Sequence, residues 1–425
     1  MNMAMNRVTT VLGSIRARDA LNIGSRVCNL MPAYVVLCAM LFLTPSQVNA
    51  QGSTASTTQG VSVVIAPAFQ TWRFAKNVLL DSLSISGATQ ISAPFAVQFP
   101  LPASWSASIT GAVASSKLDA RDSTGTVSRT FTGLSDVRVR ASGPLIGNAL
   151  HLTLGVNLPT GAVNLSAPQN DVIRVTAAPA LDAQVPIGGT GFGGTVGVVY
   201  ARFIGDWAWA FGAGVEHRGT YAPLDAQIAG VQSRTELAPG SAAHFSIGTD
   251  GLVGENRLSL GVVTDVYGAD ELHLTTAGNQ PITQKYHLGP TVSAGAALEV
   301  KSSHFRDLTL RANERYRLGF RDGAGKDVDG SSGNYFDAGV SGLLGAPNRT
   351  SLLLGVNLRQ QSGLPVDKGF IGAGLTAIGG TIGLLIPSAT LEWRPSIQIM
   401  VGSLKTALVT SGITSFSVGL TVTKR

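Results

Sequence analysis

GLSDVRVRASGPLIGNALHLTLGVNLPTG, residues Gly133–Gly161, decides how the rest of the chain is read. Val137, Val139 and Ala141 alternate with Asp136, Arg138 and Arg140. Beyond the turn residues Gly143-Pro144 and Gly147-Asn148, Leu150, Leu152, Leu154, Val156 and Leu158 alternate with His151, Thr153, Gly155 and Asn157. A repeat of two puts successive side chains on opposite faces of a strand. Pro159-Thr160-Gly161 then ends the pairing, because proline has no N–H to give a ladder. Arginines opposite an unbroken apolar stripe suit a strand with hydrocarbon on one side and water on the other.

The same rhythm runs through the chain. Strands are expected near 61–75, 83–98, 104–118, 134–143, 149–158, 193–204, 207–220, 240–252, 256–268, 285–301, 305–320, 334–345, 350–360, 370–384, 389–402 and 413–424, sixteen in all, with fourteen as the alternative count. Short links (100–103, 144–147, 205–206, 253–256, 302–304, 346–349, 387–388) alternate with long, polar or Gly-rich ones (119–132, 159–192, 221–239, 269–284, 321–333, 361–369, 403–412). Outer-membrane barrels alternate in this way, with tight periplasmic turns and long external loops. The expected fold is therefore all-β, a single antiparallel transmembrane β-barrel over 61–425 with both ends in the periplasm. The longest link, Pro159–Gly191, is too long for an idle connection and is expected to fold into or over the mouth.

The start of the chain reads differently. Arg7, Arg16, Arg18 and Arg26 precede an apolar run from Ala33 to Leu43, and Val48-Asn49-Ala50 offers small residues for cleavage. That order is a secretory signal over 1–50, followed by a Ser/Thr/Gln/Gly lead-in at 51–60. The apolar run is shorter than the ~20 residues a spanning helix needs. Both cysteines, Cys28 and Cys38, would leave with the signal, so no disulfide or thiolate metal site is expected. The mature chain would carry 27 basic and 24 acidic residues, a balance of +3 that gives no reason to propose nucleic acid. The expected partners are outer-membrane lipid, small solutes and the barrel-assembly machinery. Many barrels present that machinery with a final aromatic residue, whereas this chain ends Thr423-Lys424-Arg425.

Gly-Leu-x-Asp-Val followed by a strand ending Leu-Pro-Thr-Gly resembles a group of outer-membrane barrels linked to the meta-pathway of phenol degradation and, more distantly, fatty-acid and hydrocarbon transporters. The likeness covers Gly133–Gly161 and continues less closely through Phe192–Asp225, with GVVYARFIGDWAWAFGAGVEHRGTYAPLD. It implies an outer-membrane barrel, with no catalytic motif.

Strand faces supply the candidate residues. At 305–320, Leu308, Leu310, Ala312, Tyr316, Leu318 and Phe320 oppose Asp307, Thr309, Arg311, Asn313, Arg315 and Arg317, with Glu314 a misfit on the apolar side. The inward, pore-lining set is Arg138, Arg140, Arg218, Arg257, Arg311, Arg315, Arg317, Arg359, Glu392 and Arg394, joined by Asp136, Glu216, Asp265 and Asp307. Fixed basic charge would bias an open lumen toward anions. The alternative is that these groups pair across strands and fill the barrel. Trp105, Trp207, Trp209 and Trp393 beside short turns suit an interfacial girdle, with core packing as the competing reading.

No histidine has ligand or nucleophile spacing, so neither metal nor cofactor nor catalysis is expected. Gly189–Gly194 matches a dinucleotide pattern by letter, but a strand follows it instead of a helix. Asp322–Gly330 (DGAGKDVDG) lacks the late acidic ligand of a calcium loop and reads as solvated. The expected function is passive passage of small molecules across the outer membrane, including hydrophobic or aromatic compounds as the resemblance implies. The alternative is a non-transporting barrel serving as adhesin, receptor or structural protein.

Overall fold

The computed structural model describes residues 60–424, apart from 81–82, 148, 186–187, 229–230, 277–281 and 365–368. The expected signal and all but the last residue of the lead-in lie outside the described residues.

Sixteen antiparallel strands close on themselves. They are β1 (Ser62–Ile65 and Ala68–Leu80), β2 (Leu83–Pro100), β3 (Ser106–Asp122), β4 (Gly125–Leu134 and Val137–Ile146), β5 (Leu150–Leu158), β6 (Gly193–Ile204), β7 (Trp207–Arg218), β8 (Ala242–Val253), β9 (Asn256–Tyr267), β10 (Thr291–Val300), β11 (Arg306–Arg317), β12 (Gly333–Leu344), β13 (Ser351–Gln361), β14 (Gly374–Pro387), β15 (Leu391–Lys405) and β16 (Thr410–Lys424). Each pairs with its neighbour in sequence, and Val63↔Lys424, Ala68↔Gly419 and Phe74↔Ile413 close β16 onto β1. Closure leaves no lateral sheet edge to pair with another chain. Both described termini lie at the short-turn end.

The outer wall is apolar. Phe245 is 52 %, Val356 58 % and Ile378 54 % exposed, and Leu154, Val196, Leu260, Val340 and Ile399 continue the band on other strands. Such side chains do not stay in water in that number on a soluble protein, so this surface is lipid-facing. At the short-turn rim Trp105 lies over Gly143 and Trp207 over Gly251, Trp209 stacks on Phe211 at 6.3 Å, and Trp393 is exposed. These four tryptophans form an interfacial girdle. Glu314 stands on the outer face between Ala294 and Phe336, and nothing in the structure explains it.

Two groups of expected loops are largely strands instead. The links 119–132 and 403–412 shrink to tight turns because β3, β4, β15 and β16 run on past the lipid band. The links 221–239 and 269–284, with a short piece of 321–333, build a second sheet of five strands: Tyr221–Ile228, Val231–Ala238, Ala269–Thr276, Ile282–His287 and Arg321–Asp322. Gly219, Gly240, Gly268, Gly289 and Gly319 stand where barrel strands pass into this upper sheet. The backbones come so close there that a Cβ on Gly240 would sit 2.5 Å from the Gly268 carbonyl carbon. Only glycine allows that approach. Polar residues on both faces had hidden these strands, since above lipid neither face must be uniformly apolar.

Along β1–β4 the pattern inverts partway up. Below a line through Phe69, Ile91, Val113 and Leu134 the outer face is apolar, and Ser92, Arg138 and Arg140 are on the inner one, with Gln70 and Gln90 one rung above the line. Above it the outer face carries Thr71, Arg73, Thr89, Lys117, Arg121, Thr130 and Ser128. The inner face there becomes apolar: Trp72, Phe74, Ile85, Ala88, Ala114, Leu118, Ala120 and Phe131 are all buried. These upper halves behave as a water-soluble sheet with its core turned inward.

Candidate functional site: the inserted segment and the lumen wall

The apolar inner face is covered by the chain between β5 and β6. After Pro159 the segment enters the barrel as helix α1 (Ala167–Thr176) and then as an irregular strap of turns and bends. Ser166 caps the helix reciprocally with Gln169, and Pro168 sits in its first turn, where its missing N–H costs nothing. Val172 and Val175 are fully buried against the wall, as are Ala178, Ala180, Leu181 and Val185 of the strap. Phe370, from the connection before β14, joins the same core and meets Phe74 edge-on at 5.5 Å.

Polar side chains on the inner wall hold the strap in register. Trp72 Nε1 donates to the Leu181 carbonyl at 2.8 Å. Gln90 meets Val185 twice, its Nε2 donating to the carbonyl at 2.9 Å and its Oε1 accepting from the N–H at 3.1 Å. Gln70 Oε1 accepts from the Gln184 N–H at 2.8 Å. These side-chain amides imitate a neighbouring strand and satisfy backbone groups that burial would otherwise leave unpaired. Two ion pairs complete the seat: Arg129 of β4 with Asp171 of α1, and Arg359 of β13 with Asp182 of the strap. Asp337 lies on the far side of Arg359, 4.0 Å from its Nε.

The base of the segment is pinned at one carboxylate. Asp136 occupies the break in β4 and is 8 % exposed. Its Oδ1 accepts from the Gly161 N–H at 2.9 Å, where the segment leaves the wall. Its Oδ2 accepts from the Thr190 N–H at 2.7 Å and the Thr190 hydroxyl at 2.9 Å, where the segment returns, and from Asn157 Nδ2 at 3.0 Å. Gly188 (φ +109°) and Gly191 (φ +82°) make the return in the left-handed region that glycine tolerates. The quoted Asp-Val and Leu-Pro-Thr-Gly residues thus meet at the root of the insertion, together with Gly189–Gly191.

The ten sequence-selected residues separate into two groups. Arg138 and Arg140 on β4, Arg311, Arg315 and Arg317 on β11, and Arg394 on β15 are half-buried on the inner wall. β4 and β11 are seven strands apart in a ring of sixteen, so their arginines belong to opposite sides of the barrel wall. Arg218, Arg257, Arg359 and Glu392 are buried in specific contacts. Arg218 donates through Nε to the Gly240 carbonyl at 3.0 Å and stands over the Tyr267 ring at 5.6 Å. Arg257 donates to Asp250 at 2.8 Å, and Glu392 pairs with Arg394. Glu216 and His244 lie between these groups, with His244 Nδ1 2.8 Å from Asp265 and Nε2 3.5 Å from Glu216. Asp307, expected inward, is exposed at a bulge near the short-turn rim, where its φ is +57°.

Sequence reasoning overlooked Trp72, Gln70, Gln90 and Asp182. The available signal was a pair of glutamines on one rung of β1 and β2, since Gln70 and Gln90 are register partners. Outside the barrel, burial pushes the Asp270 carboxyl above its ordinary value, opposed by Arg218 and the Gly240 N–H. Glu271 is held below the usual carboxylate range by its hydrogen bond to Lys285. In 322–330, Asp322 Oδ1 accepts from the Ala324 and Lys326 N–H groups, closing a turn.

No protein-family model and no curated protein matches the chain. Among solved structures it is similar to the CymD monoaromatic hydrocarbon channel, at 10% identity over 89% of this chain and 93% of that one, with a TM-score of 0.38. It is also similar to Pseudomonas putida OprB at low pH (9%, over 86% and 93%, TM-score 0.41) and to Pseudomonas aeruginosa OpdK with vanillate (10%, over 85% and 98%, TM-score 0.42). At such identities the likeness concerns barrel architecture, which the strand pairing above establishes on its own.

Proposed function

We propose that the protein is an outer-membrane channel for passive passage of small molecules, with the 159–192 segment as its internal constriction. One observation carries the reading: a buried helix and strap fill the mouth on the β1–β4 side, held by Trp72, Gln90 and the Asp136 pin. A purely structural barrel has no need to place that much ordered chain inside its own lumen. The inner-wall arginines of β4 and β11 favour anionic solutes, because fixed charge in a low-dielectric wall biases which ions enter. Small hydrophobic or aromatic compounds, the cargo implied by the resemblance of Gly133–Gly161, remain compatible when they carry a carboxylate. Deletion of residues 165–188 tests this in planar bilayers. Larger single-channel conductance with anion preference retained supports the proposal, and conductance equal to wild type rejects it.

A further inference from the structure

The outer face of β1–β4 above the lipid band has no part in passage, yet it is not an ordinary polar surface. Arg73, Lys76, Lys117 and Arg121 are exposed there, and Asp119 is the one carboxylate on this face among the described residues. Arg73 and Lys117 share it at 3.3 and 2.9 Å, which leaves the cluster strongly positive. Around them stand the hydroxyls of Thr71, Thr89, Ser115 and Thr132, with Thr71 3.2 Å from Thr89 and Ser115 2.7 Å from Thr132. The upper sheet, at the same end of the barrel, is built differently: Arg234 sits beside Glu236, and Lys285 beside Glu271.

The position of the cluster says what it meets. Ile91 and Val113, 60 and 45 % exposed, lie at the top of the lipid-facing band, and Lys117 is four residues along β3 from Val113. From Ile91 down to Phe99, the outer face of β2 is apolar over nine residues. At ~3.3 Å per residue and ~40° tilt this spans about 23 Å, the height of an outer-membrane hydrocarbon belt. The cations therefore stand at headgroup level, with acyl chains against the wall beneath them. Exposed lysines and arginines at that depth attract phosphate, and arginine binds it bidentately.

We infer that the outer face of β1–β4 is a docking site for a phosphorylated glycolipid of the outer leaflet, with Arg73, Lys117 and Arg121 on its phosphates and the flanking Ser and Thr hydroxyls on its sugars. The site needs the long-connection end to face outward and is independent of what passes through the lumen.

The test uses the full-length barrel purified in detergent, with bisphosphorylated lipid A, dephosphorylated lipid A and inorganic phosphate as probes. Binding is read by native mass spectrometry, and folding by the mobility difference between boiled and unboiled protein. Wild type should retain bisphosphorylated lipid A over the dephosphorylated form by about tenfold or more. The R73Q/K117Q/R121Q variant should lose that preference, while R234Q/K285Q, which removes charge from the upper sheet, should keep it. If the triple variant folds and binds as wild type does, or if both lipids bind equally, the inference is overturned. Saturation by inorganic phosphate alone overturns it too, since the site would then be an anion site unrelated to lipid. Should the triple variant fail to fold, K117Q alone replaces it, with a reduced preference expected and an unchanged one counting against the site.

Discussion

Asp136→Ala is the substitution whose effect can be worked out most fully. Four donors converge on its carboxylate: Asn157 Nδ2, the Gly161 N–H, and both the N–H and the hydroxyl of Thr190, all within 3.0 Å. Hydrogen bonds to a charged group contribute about 1.5–3 kcal/mol each when lost singly. They do not add, because water enters once the first is broken, so the expected total is about 3–4 kcal/mol. That shifts the equilibrium between seated and released segment by roughly 10²–10³. Asp136→Asn should cost nearly as much, since its NH₂ would face donors where the second carboxylate oxygen stood. Strand pairing is untouched, so unboiled protein should still migrate as a folded barrel. Amide exchange over 161–191 should accelerate by about the same two to three orders, and bilayer recordings should show larger or noisier openings. Exchange at the wild-type rate in a folded D136A barrel would refute the latch.

Trp72→Ala removes a fully buried indole together with its bond to Leu181, and should cost about 3–5 kcal/mol; the check is faster exchange of the strap amides, 181–185, with the Asp136 contacts intact. Charge reversal at Arg311 and Arg315 should move the reversal potential in a salt gradient toward cation preference, whereas the same change at Arg257, buried against Asp250, should reduce barrel yield instead. Asp270 gives a pH prediction: its folded value is raised, so the native upper sheet binds that proton more tightly than the unfolded chain does. Stability of that sheet should fall as pH rises from about 3.9, the unfolded value, through the raised folded value, and D270N should flatten the dependence seen by limited proteolysis of 269–287.

The barrel itself was legible because lipid imposes one rule on every strand it touches. Leu150–Leu158 and 308–317 show the period of two plainly, and apart from Glu314 their greasy and charged faces fall where the alternation puts them. Legibility stopped where lipid did. Asp119 and Arg121 read as loop because a strand in water owes nothing to hydrocarbon, and the five upper-sheet strands were lost for the same reason. The site was half readable. Asp136 stood out as an inward charge, but its partners Gly161 and Thr190 are 25 and 54 residues away, and no local pattern announces a pin that closes across such distances. Gln70 and Gln90 were invisible singly, since a lumen-facing glutamine is ordinary until its register partner is known.

The swap of faces along β1–β4 bears on what the insert does. Trp72, Phe74, Ile85, Leu118 and Phe131 share one buried cluster with α1, the strap, Phe370 and wall residues of β14–β16 such as Leu375, Leu404 and Ile413. A ring of sixteen strands completed without the insert would hold an oily streak open to water at its mouth. Seating of the insert therefore covers that streak, so the segment proposed as a constriction is at the same time the inner core of the β1–β4 rim.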